Sequence, residues 1–219
     1  MMQKTTKFSY RKQLKNNYLL VNSQPGHVEG LARLQREVFP LLSEDEILKA
    51  HHYLKHIEVF PEGQFAVLNG DEVIGSTTTV RTRYMAEPHT FLEASGNLVL
   101  SNYDPEGEWL YGLDIGVSSR YRGYGLGKAL YRARQELVRH LGLKGQITVG
   151  LINGYHKMQE SMSPEEYVDQ LKKGTLNDPT VSYQQGIGFA IKGLIHNYCS
   201  DPTCGNCGVV LMMDATHVI

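Results

Sequence analysis

The sequence predicts a mixed α+β fold, in which helices cover both faces of one central, mostly antiparallel sheet of six to seven strands. Short apolar runs of strand length alternate with longer segments of helical period along the chain. Turn residues, such as those at 69–71, join neighbouring strands directly. The 219 residues, of which 41% are hydrophobic and 21% charged, suffice for one globular domain with a sizeable core.

The N-terminal half is predicted to contain three strands and two helices. We expect residues 1–16, which are polar and basic, to form a flexible arm before a single domain over 17–219. Pro40 ends the first helix, and Ser43 with Glu46 three residues later has the capping-box pattern that begins a second. In chain order the elements are a strand over 18–22, helices over 28–39 and 43–57, strands over 64–68 and 72–81, and an irregular segment over 84–107.

The C-terminal half is predicted to contain four strands and three helices, with a helical insert between the fifth and sixth strands of the chain. Leu126 and Leu130 belong to an apolar stripe of helical spacing, which is typical of a helix that packs on a sheet. Ser163 and Pro164 begin the helical insert, and Gly174 ends it. In chain order the elements are a strand over 109–117, a helix over 124–140, a strand over 146–151, helices over 163–173 and 180–185, and strands over 189–198 and 209–214.

The loop over 120–127 is the most informative segment, because three glycines alternate there between a strand and a helix. Gly123, Gly125 and Gly127 allow the backbone to approach a ligand closely. The start of a helix also presents unpaired N–H groups and a partial positive charge. Together these properties predict a site for phosphate oxygens.

The spacing of this loop distinguishes three kinds of phosphate site. A P-loop would need glycine where Arg122 stands and a hydroxyl side chain where Ala129 stands, so it is excluded. In the dinucleotide-binding pattern, the third glycine would stand one residue after Gly127. The third pattern, Arg-x-x-Gly-x-Gly, is matched from Arg120 onward.

This third pattern resembles the coenzyme A pyrophosphate loop of the GNAT family of N-acetyltransferases. The predicted order of strands and helices is also that of the family, so the resemblance extends over residues 17–214. Within the family the chain is similar to the acetyltransferase domains fused to carbon–nitrogen hydrolases, and it is expected to be a stand-alone relative of them. The segments that carry this similarity are 109–117, 154–156, 162–167, 178–184 and 188–189.

The resemblance implies an N-acyltransferase that moves an acetyl group from acetyl-CoA, or another acyl group from its CoA ester, to an amine of a small molecule or peptide by direct attack. One N–H group of the strand over 115–117 would hold the oxyanion, and Gly116 signals a bulge or a close approach. The residues implied to bind the co-substrate are Ile115, Gly116, Val117, Arg120, Arg122, Gly123, Tyr124, Gly125, Leu126 and Gly127. A non-catalytic acyl-CoA-binding or regulatory domain is the alternative, and a nucleotide-binding enzyme is the third interpretation.

Acyl transfer to an amine needs a base, because an alkylammonium has a pKa near ~10 and must lose its proton before it attacks. The candidates are Asp114 and Glu108 on the central strand, Glu93 in the segment before it, and His156 after the next strand. Asp114 is the most unusual of them, since an ionised group inside an apolar strand is costly unless it has a partner. A structural hydrogen bond is the alternative role for Asp114, and a surface position is the alternative for His156.

The family implies a tyrosine that protonates the departing thiolate, on a short helix before a Gly-Phe pair. Here the family's position is occupied by Gln184, and Tyr183 stands one residue earlier. A shift of one residue rotates a helical side chain by about 100°. Tyr183 is therefore a candidate acid that could instead be a packing residue, and Tyr155 is the reserve acid.

A cysteine-bearing loop near the C-terminus has no clear relation to this chemistry. His196, Cys199, Cys204 and Cys207 are ligand types of tetrahedral zinc, and the last two could form a redox pair. Because only one pair has typical spacing, no metal is predicted, and a loop without a chemical role is the favoured interpretation. The odd number of cysteines also fits a reducing compartment.

The composition excludes some functions. A net charge of −1 gives no electrostatic reason to expect nucleic acid or an anionic membrane as a partner. No apolar run approaches the ~18 residues of a membrane span, and the N-terminus lacks the apolar core of a secretory signal. We therefore expect a cytoplasmic protein, and the sequence leaves its oligomeric state open, a homodimer included.

Overall fold

The computed structural model describes residues 8–83 and 87–219, and it confirms the predicted α+β fold. Eight strands form one sheet in the order β1-β2-β3-β4-β5-β6-β8-β7. All neighbouring pairs are antiparallel except β5 and β6, which are parallel. The strands are β1 Arg11–Gln13, β2 Leu19–Asn22, β3 Phe65–Asn69, β4 Glu72–Thr82, β5 Trp109–Val117, β6 Gly145–Leu151, β7 Ala190–Ile195 and β8 Gly208–Asp214.

Six α-helices connect or flank these strands in the described part of the chain. A parallel pair needs a crossover connection, and α4 supplies it between β5 and β6. The predicted apolar stripe of this helix is buried, including Leu126, Leu130 and Leu137. The helices are α1 Val28–Val38, α2 Ala50–Val59, α3 Phe91–Ala94, α4 Leu126–His140, α5 Pro164–Lys173 and α6 Val181–Gly186. None of the helices among the described residues is long and apolar enough to cross a membrane.

The N-terminal segment differs from its prediction as a flexible arm over 1–16. Residues 11–13 form the edge strand β1, in which Arg11 pairs with Val21 of β2. Tyr10 before it is buried in the core. Since the side chains of β1 are exposed, its sequence carries no apolar alternation by which to recognise a strand. This strand also raises the number in the sheet from the predicted six or seven to eight; residues 1–7 of the predicted arm lie outside the described part.

The start of the second helix is also different from the prediction. The Ser43 and Glu46 pattern does not open it; α2 begins at Ala50, after Lys49. Glu46 is buried and accepts a hydrogen bond from the backbone N–H of Ser200 at 2.8 Å. A capping signal is local, and here a contact with a distant segment takes up the carboxylate instead.

Candidate functional site

The central strand β5 carries a β-bulge at its midpoint. Thr78 of β4 pairs with Asp114, whereas Thr79 pairs with Gly112, so Leu113 is the extra residue. In a regular strand Gly112 and Gly116, four residues apart, would point to the same face of the sheet. The extra residue of the bulge shifts this alternation, so the two glycines point to opposite faces. Gly112 accordingly faces Arg134 of α4, on the face of the sheet opposite to α1.

Gly116, which the sequence marked as a bulge or a close approach, is the close approach. A side chain there would meet Val38 of α1 at 3.1 Å, so the glycine lets α1 lie against the strand. The bulge itself lies three residues earlier, at Leu113, where the sequence gives no signal.

The strands β5 and β6 separate at this bulge. Their pairing runs from Trp109 opposite Gly145 to Gly112 opposite Thr148, and then ends. The hydroxyl of Thr148 closes the paired part by donating to the carbonyl of Gly112 at 2.8 Å. Backbone groups of β5 that face β6 beyond this point therefore have no partner strand.

A cavity of about 410 Å³ opens where the two strands separate. It is lined by Gln35, Val38 and residues 39–42 in and after α1, Phe91 in α3, residues 113–117 in β5, Arg122, residues 148–151 and Asn153 in and after β6, Thr180 and Gln184 at α6, and Tyr198, Cys199, Asp201 and Thr203 after β7. The predicted Ile115, Gly116 and Val117 are thus together at one cavity wall.

Asp114 lies at this cavity with both carboxylate oxygens engaged. One oxygen accepts from the backbone N–H of Thr78 at 2.7 Å, and the other from the hydroxyl of Tyr53 at 3.3 Å. Burial raises the pKa of Asp114, and the hydrogen bond from Thr78 and the charge of Arg134 oppose this only in part. The carboxyl group therefore fastens the bulge to β4 and α2.

Arg134 is a residue that sequence reasoning missed. Its guanidinium is fully buried and donates to the carbonyl of Asp114 and to the hydroxyl of Thr77. A side chain at Gly112 would occupy the same space. Arg134 stands on the predicted buried face of α4, where an arginine is unexpected, and that position was the available signal.

The predicted phosphate loop has the geometry of an anion site. Gly123 and Gly125 have φ angles of 83° and 78°, a region that favours glycine. Gly125 is the residue before α4, whose first intrahelical bond runs from Ala129 N–H to Gly125 O at 3.0 Å. The N–H groups of Leu126 and the next two residues have no partner within the helix.

The two arginines of this loop have different surroundings. Arg122 is exposed and lines the cavity, whereas Arg120 forms an ion pair with Glu72. The start of the loop is held from α1, because Glu37 accepts from the backbone N–H of Ser119 at 2.8 Å. This bond lowers the pKa of Glu37, which stays ionised.

The tyrosine at the candidate acid position lies beside the loop, and its neighbour points inward. The hydroxyl of Tyr183 is 4.0 Å from the position of a Cβ atom built on Gly127, and burial raises its pKa. Gln184, which takes the family's tyrosine position, is buried and donates to the hydroxyl of Tyr131 at 2.9 Å. The one-residue offset thus turns Tyr183 toward α4 and leaves Gln184 at the cavity wall.

The other predicted acids and bases lie outside the cavity lining. His156 is exposed and bonds the carbonyl of Asn153 at 2.8 Å. Glu93 caps α3 by accepting from Thr90 N–H at 2.7 Å, and Glu108 pairs with Lys144 at 2.7 Å. Tyr155, the reserve acid, is buried and donates to the carbonyl of Met162 at 3.1 Å. The structure brings Asp114 to the cavity, but not these four.

The cysteine-bearing segment contributes to the cavity lining. Within residues 8–83 and 87–219, no group of three or more His, Cys, Asp or Glu side chains could hold a metal ion. All three cysteines are free and buried, and a hydrogen bond with Cys204 together with burial raises the pKa of the Cys199 thiol. Sequence reasoning missed that Cys199 and Tyr198 line the cavity, because this segment is remote in sequence from the glycine loop.

Comparisons with known proteins agree with this geometry. The model of the Acetyltransferase (GNAT) family matches residues 28–154. The chain is 33% identical to YkwB of Bacillus subtilis, named as an N-acetyltransferase, over 84% of this chain and 83% of that protein. It is 34% identical to YhcX of the same organism, named as a hydrolase, over 83% of this chain but 35% of the relative. The chain therefore spans about a third of that second protein.

Solved structures support the fold. The GphF GNAT-like decarboxylase in complex with isobutyryl-CoA has a TM-score of 0.76 at 21% identity, covering 90% of this chain and 98% of its own. The loading GNATL domain of CurA from Lyngbya majuscula has a TM-score of 0.79 at 22% identity, covering 93% and 100%. Since these identities are low, they speak for the fold alone. The family match and the 33% identity to YkwB go further, and the protein belongs to the GNAT acetyltransferase family.

Proposed function

We propose that this protein is an acyl-CoA-dependent N-acyltransferase that transfers an acyl group, most simply acetyl from acetyl-CoA, to an amine of a small molecule or peptide. The observation that carries this proposal is the separation of β5 from β6 beside a helix N-terminus. An extended pantetheine arm can pair with the free edge of β5, while its pyrophosphate meets the N–H groups at the start of α4.

The donor half of the reaction follows from the bulge and the loop. Arg122 adds positive charge at the phosphate end of the cavity. Beyond Leu113, the unpaired N–H groups of β5 can donate to the thioester carbonyl and to the oxyanion that forms on it. Because Asp114 and Arg134 fasten the bulge from opposite faces, these donors are positioned before the substrate binds.

We assign the acceptor amine to the side of the cavity that lies opposite β5 and the glycine loop. Phe39, Pro40, Leu41 and Leu42 give that side an apolar wall, and Phe91 continues it. Such a wall favours an amine with an apolar body next to the reacting nitrogen. We assign the acceptor to this side because β5 and the loop are occupied by the acyl donor.

Coenzyme A binding and turnover test the proposal in two steps. We expect CoA to raise the melting temperature of the protein more than ATP or NAD does at equal concentration. We also expect free CoA thiol to be released from acetyl-CoA when a primary amine from a panel is added. CoA binding without amine-dependent thiol release would instead support a non-catalytic acyl-CoA-binding domain, and a larger shift with ATP or NAD would contradict the proposal.

A matched pair of glycine variants localises the binding. Gly125 precedes α4 and Gly174 follows α5, and both glycines have a positive φ. A Cβ atom would meet nothing within 4 Å at either of them. Gly125→Ala and Gly174→Ala should therefore lose similar stability, about 1 kcal/mol. Only Gly125→Ala should weaken CoA binding, by about tenfold if reshaping the loop costs about 1.4 kcal/mol of binding. Equal CoA affinity in both variants would contradict this site.

A further inference from the structure

Three side chains form a hydrogen-bonded row from the cavity wall toward the surface. Tyr198 lines the cavity, and its hydroxyl lies 3.4 Å from that of Tyr111 on β5. The hydroxyl of Tyr111 lies 2.8 Å from Nε2 of His89, which is half-buried. We propose that this row, which rests on the proposed N-acyltransferase function, removes the proton of the acceptor amine, with His89 as the final base.

The direction of the row follows from the tautomer of His89. Its Nδ1 lies 2.9 Å from the carbonyl of Glu87, and a carbonyl can only accept. In the neutral ring Nδ1 therefore carries the hydrogen, and Nε2 is an acceptor. Tyr111 must then donate to His89 and accept from Tyr198. Tyr198, a residue of the cavity lining, then has a hydroxyl lone pair that can accept a proton.

The row is built on rigid parts of the molecule. Tyr111 is fully buried in the central strand. Two backbone hydrogen bonds hold Tyr198. Its carbonyl accepts from Phe91 N–H at 2.6 Å, and its N–H donates to the carbonyl of Asn206 at 2.8 Å. The ring of His89 meets those of both tyrosines edge-on, at 5.7 and 6.1 Å between centroids.

The 3.4 Å distance between the hydroxyls of Tyr198 and Tyr111 is the one that must shorten when substrate binds. A hydroxyl pair is typically about 2.7 Å apart, and catalytic hydrogen bonds are often longer before substrate binds. Burial raises the pKa of Tyr111 and of Tyr198, so both transmit protons as neutral hydroxyls. The other titratable groups that face the row are Glu93 near His89, and Cys199 and Glu46 near Tyr198.

The proton transfer balances without any further reactant. The ammonium proton passes to the oxygen of Tyr198 as the proton of Tyr198 passes to Tyr111 and that of Tyr111 to Nε2 of His89. The neutral amine nitrogen then forms a bond to the thioester carbonyl carbon, and the carbon–sulfur bond breaks with its electron pair on the CoA thiolate. The nitrogen loses its second proton as the amide forms, the thiolate takes up that proton, and His89 returns the first proton to solvent.

The cavity lining also holds two carboxylates, Asp114 and Asp201, and hydrogen bonds from neighbouring residues already hold both in place. Asp114 already accepts two hydrogen bonds. Glu93 caps α3, and His156 is exposed and bonds the carbonyl of Asn153. A row of two hydroxyls and an imidazole therefore fills a role that the acidic candidates do not.

The first test uses His89→Gln, Tyr111→Phe and Tyr198→Phe with acetyl-CoA and a primary alkylamine that the wild-type protein acylates. At neutral pH, kcat/KM should fall about 100-fold in each, a usual contribution of general base catalysis. The deficit should shrink as the pH rises toward the pKa of the amine, because solvent then removes the proton. CoA affinity should not change. Tyr10→Phe and His51→Gln, which change a buried tyrosine and an exposed histidine outside the cavity lining, should match the wild-type protein.

A second test needs no turnover. Nitrogen NMR of protein with labelled histidine should find the hydrogen of the neutral form of His89 on Nδ1, and hydrogen on Nε2 would overturn the proposed direction. Active wild-type protein with equally active variants, or a deficit that is the same at every pH, would overturn the row alone. Wild-type protein that binds CoA but acylates no amine would overturn the proposed function and the row with it.

Discussion

The two sides of the cavity are built in different ways. The proposed donor side, defined as residues 113–127, is one continuous stretch from the bulge of β5 through the glycine loop into α4. The proposed acceptor side, defined as residues 39–42, 89–91 and 198–203, consists of three segments that are far apart in sequence. Bonds between distant backbones hold the acceptor side together, such as Ser43 N–H to Ser200 O at 3.3 Å.

This difference indicates which side of the cavity can vary more easily between related proteins. A donor site in one continuous stretch depends on a few local angles, so the same loop can serve many members of a family. An acceptor site made of separate loops can change one segment at a time, as loops on a rigid scaffold commonly do. The acceptor side should accordingly respond to conditions and mutations that leave the donor side intact.

The largest expected effect is a loss of stability in acid that begins near the acceptor side. His56 of α2 is fully buried and its Nε2 donates to the carbonyl of Leu98 at 2.7 Å, in the turn between α3 and β5. Burial lowers the pKa of His56 from 6.5 to about 4. The unfolded chain then binds more protons than the folded one, so stability is complete above pH 6.5 and is lost as the pH falls toward 4. The loss should reach about 3 kcal/mol at about 1.4 kcal/mol per pKa unit.

Chemical denaturation of the wild-type protein and of His56→Gln across this pH range measures the effect. The free energy of unfolding should fall with acidification much less in the variant. Hydrogen exchange should also show amides over 89–100 opening before those over 118–127. Uniform opening of both stretches, or an equal loss in the variant, would contradict the contrast between the two sides.

The next effect concerns Gly112, the residue of β5 that immediately precedes the donor side and its bulge. Gly112→Ala places a methyl group where the buried guanidinium of Arg134 lies, and overpacking of this kind costs about 1–3 kcal/mol. Gly193→Ala in β7 is the matched control, since a Cβ atom there meets nothing within 4 Å. Denaturation should find Gly112→Ala clearly less stable than the control. Equal stabilities would mean that Arg134 does not fill the space under the bulge.

The same contrast decides what the sequence could predict. The fold, the strand from Trp109 to Val117 and the loop at Gly123 and Gly125 follow from local periodicity and spacing, and the structure has them there. The bulge at Leu113 and the role of Tyr198 depend on register and on contacts between distant segments, which no local pattern carries. Glu93 is a different case, because it forms a local capping box with Thr90, and the Thr-x-x-Glu spacing of that box is present in the sequence.

A smaller effect is expected at the apolar wall of the acceptor side. Leu41 lines the cavity with 54% of its surface exposed, so it can be covered when an acceptor binds. Leu41→Ser should raise KM for the amine about tenfold, since covering a leucine in part contributes about 1.5 kcal/mol. CoA affinity should stay unchanged. Leu54→Ser on α2, exposed but outside the cavity lining, is the control. A change in CoA affinity with no change in KM for the amine would assign Leu41 to the donor side.

The smallest effect tests whether Tyr183 belongs to the donor side as an acid. Its hydroxyl lies beside the first turn of α4, and burial raises its pKa, so it keeps a proton to donate at neutral pH. The side chain is also 45% exposed, which lets water replace it. Tyr183→Phe should therefore lower kcat only about fivefold, the value of one hydrogen bond of about 1 kcal/mol, while KM for acetyl-CoA stays the same. A raised KM with unchanged kcat would instead identify Tyr183 as a residue that packs against bound CoA, because a binding contact acts before the thiolate leaves and a proton donor acts as it leaves.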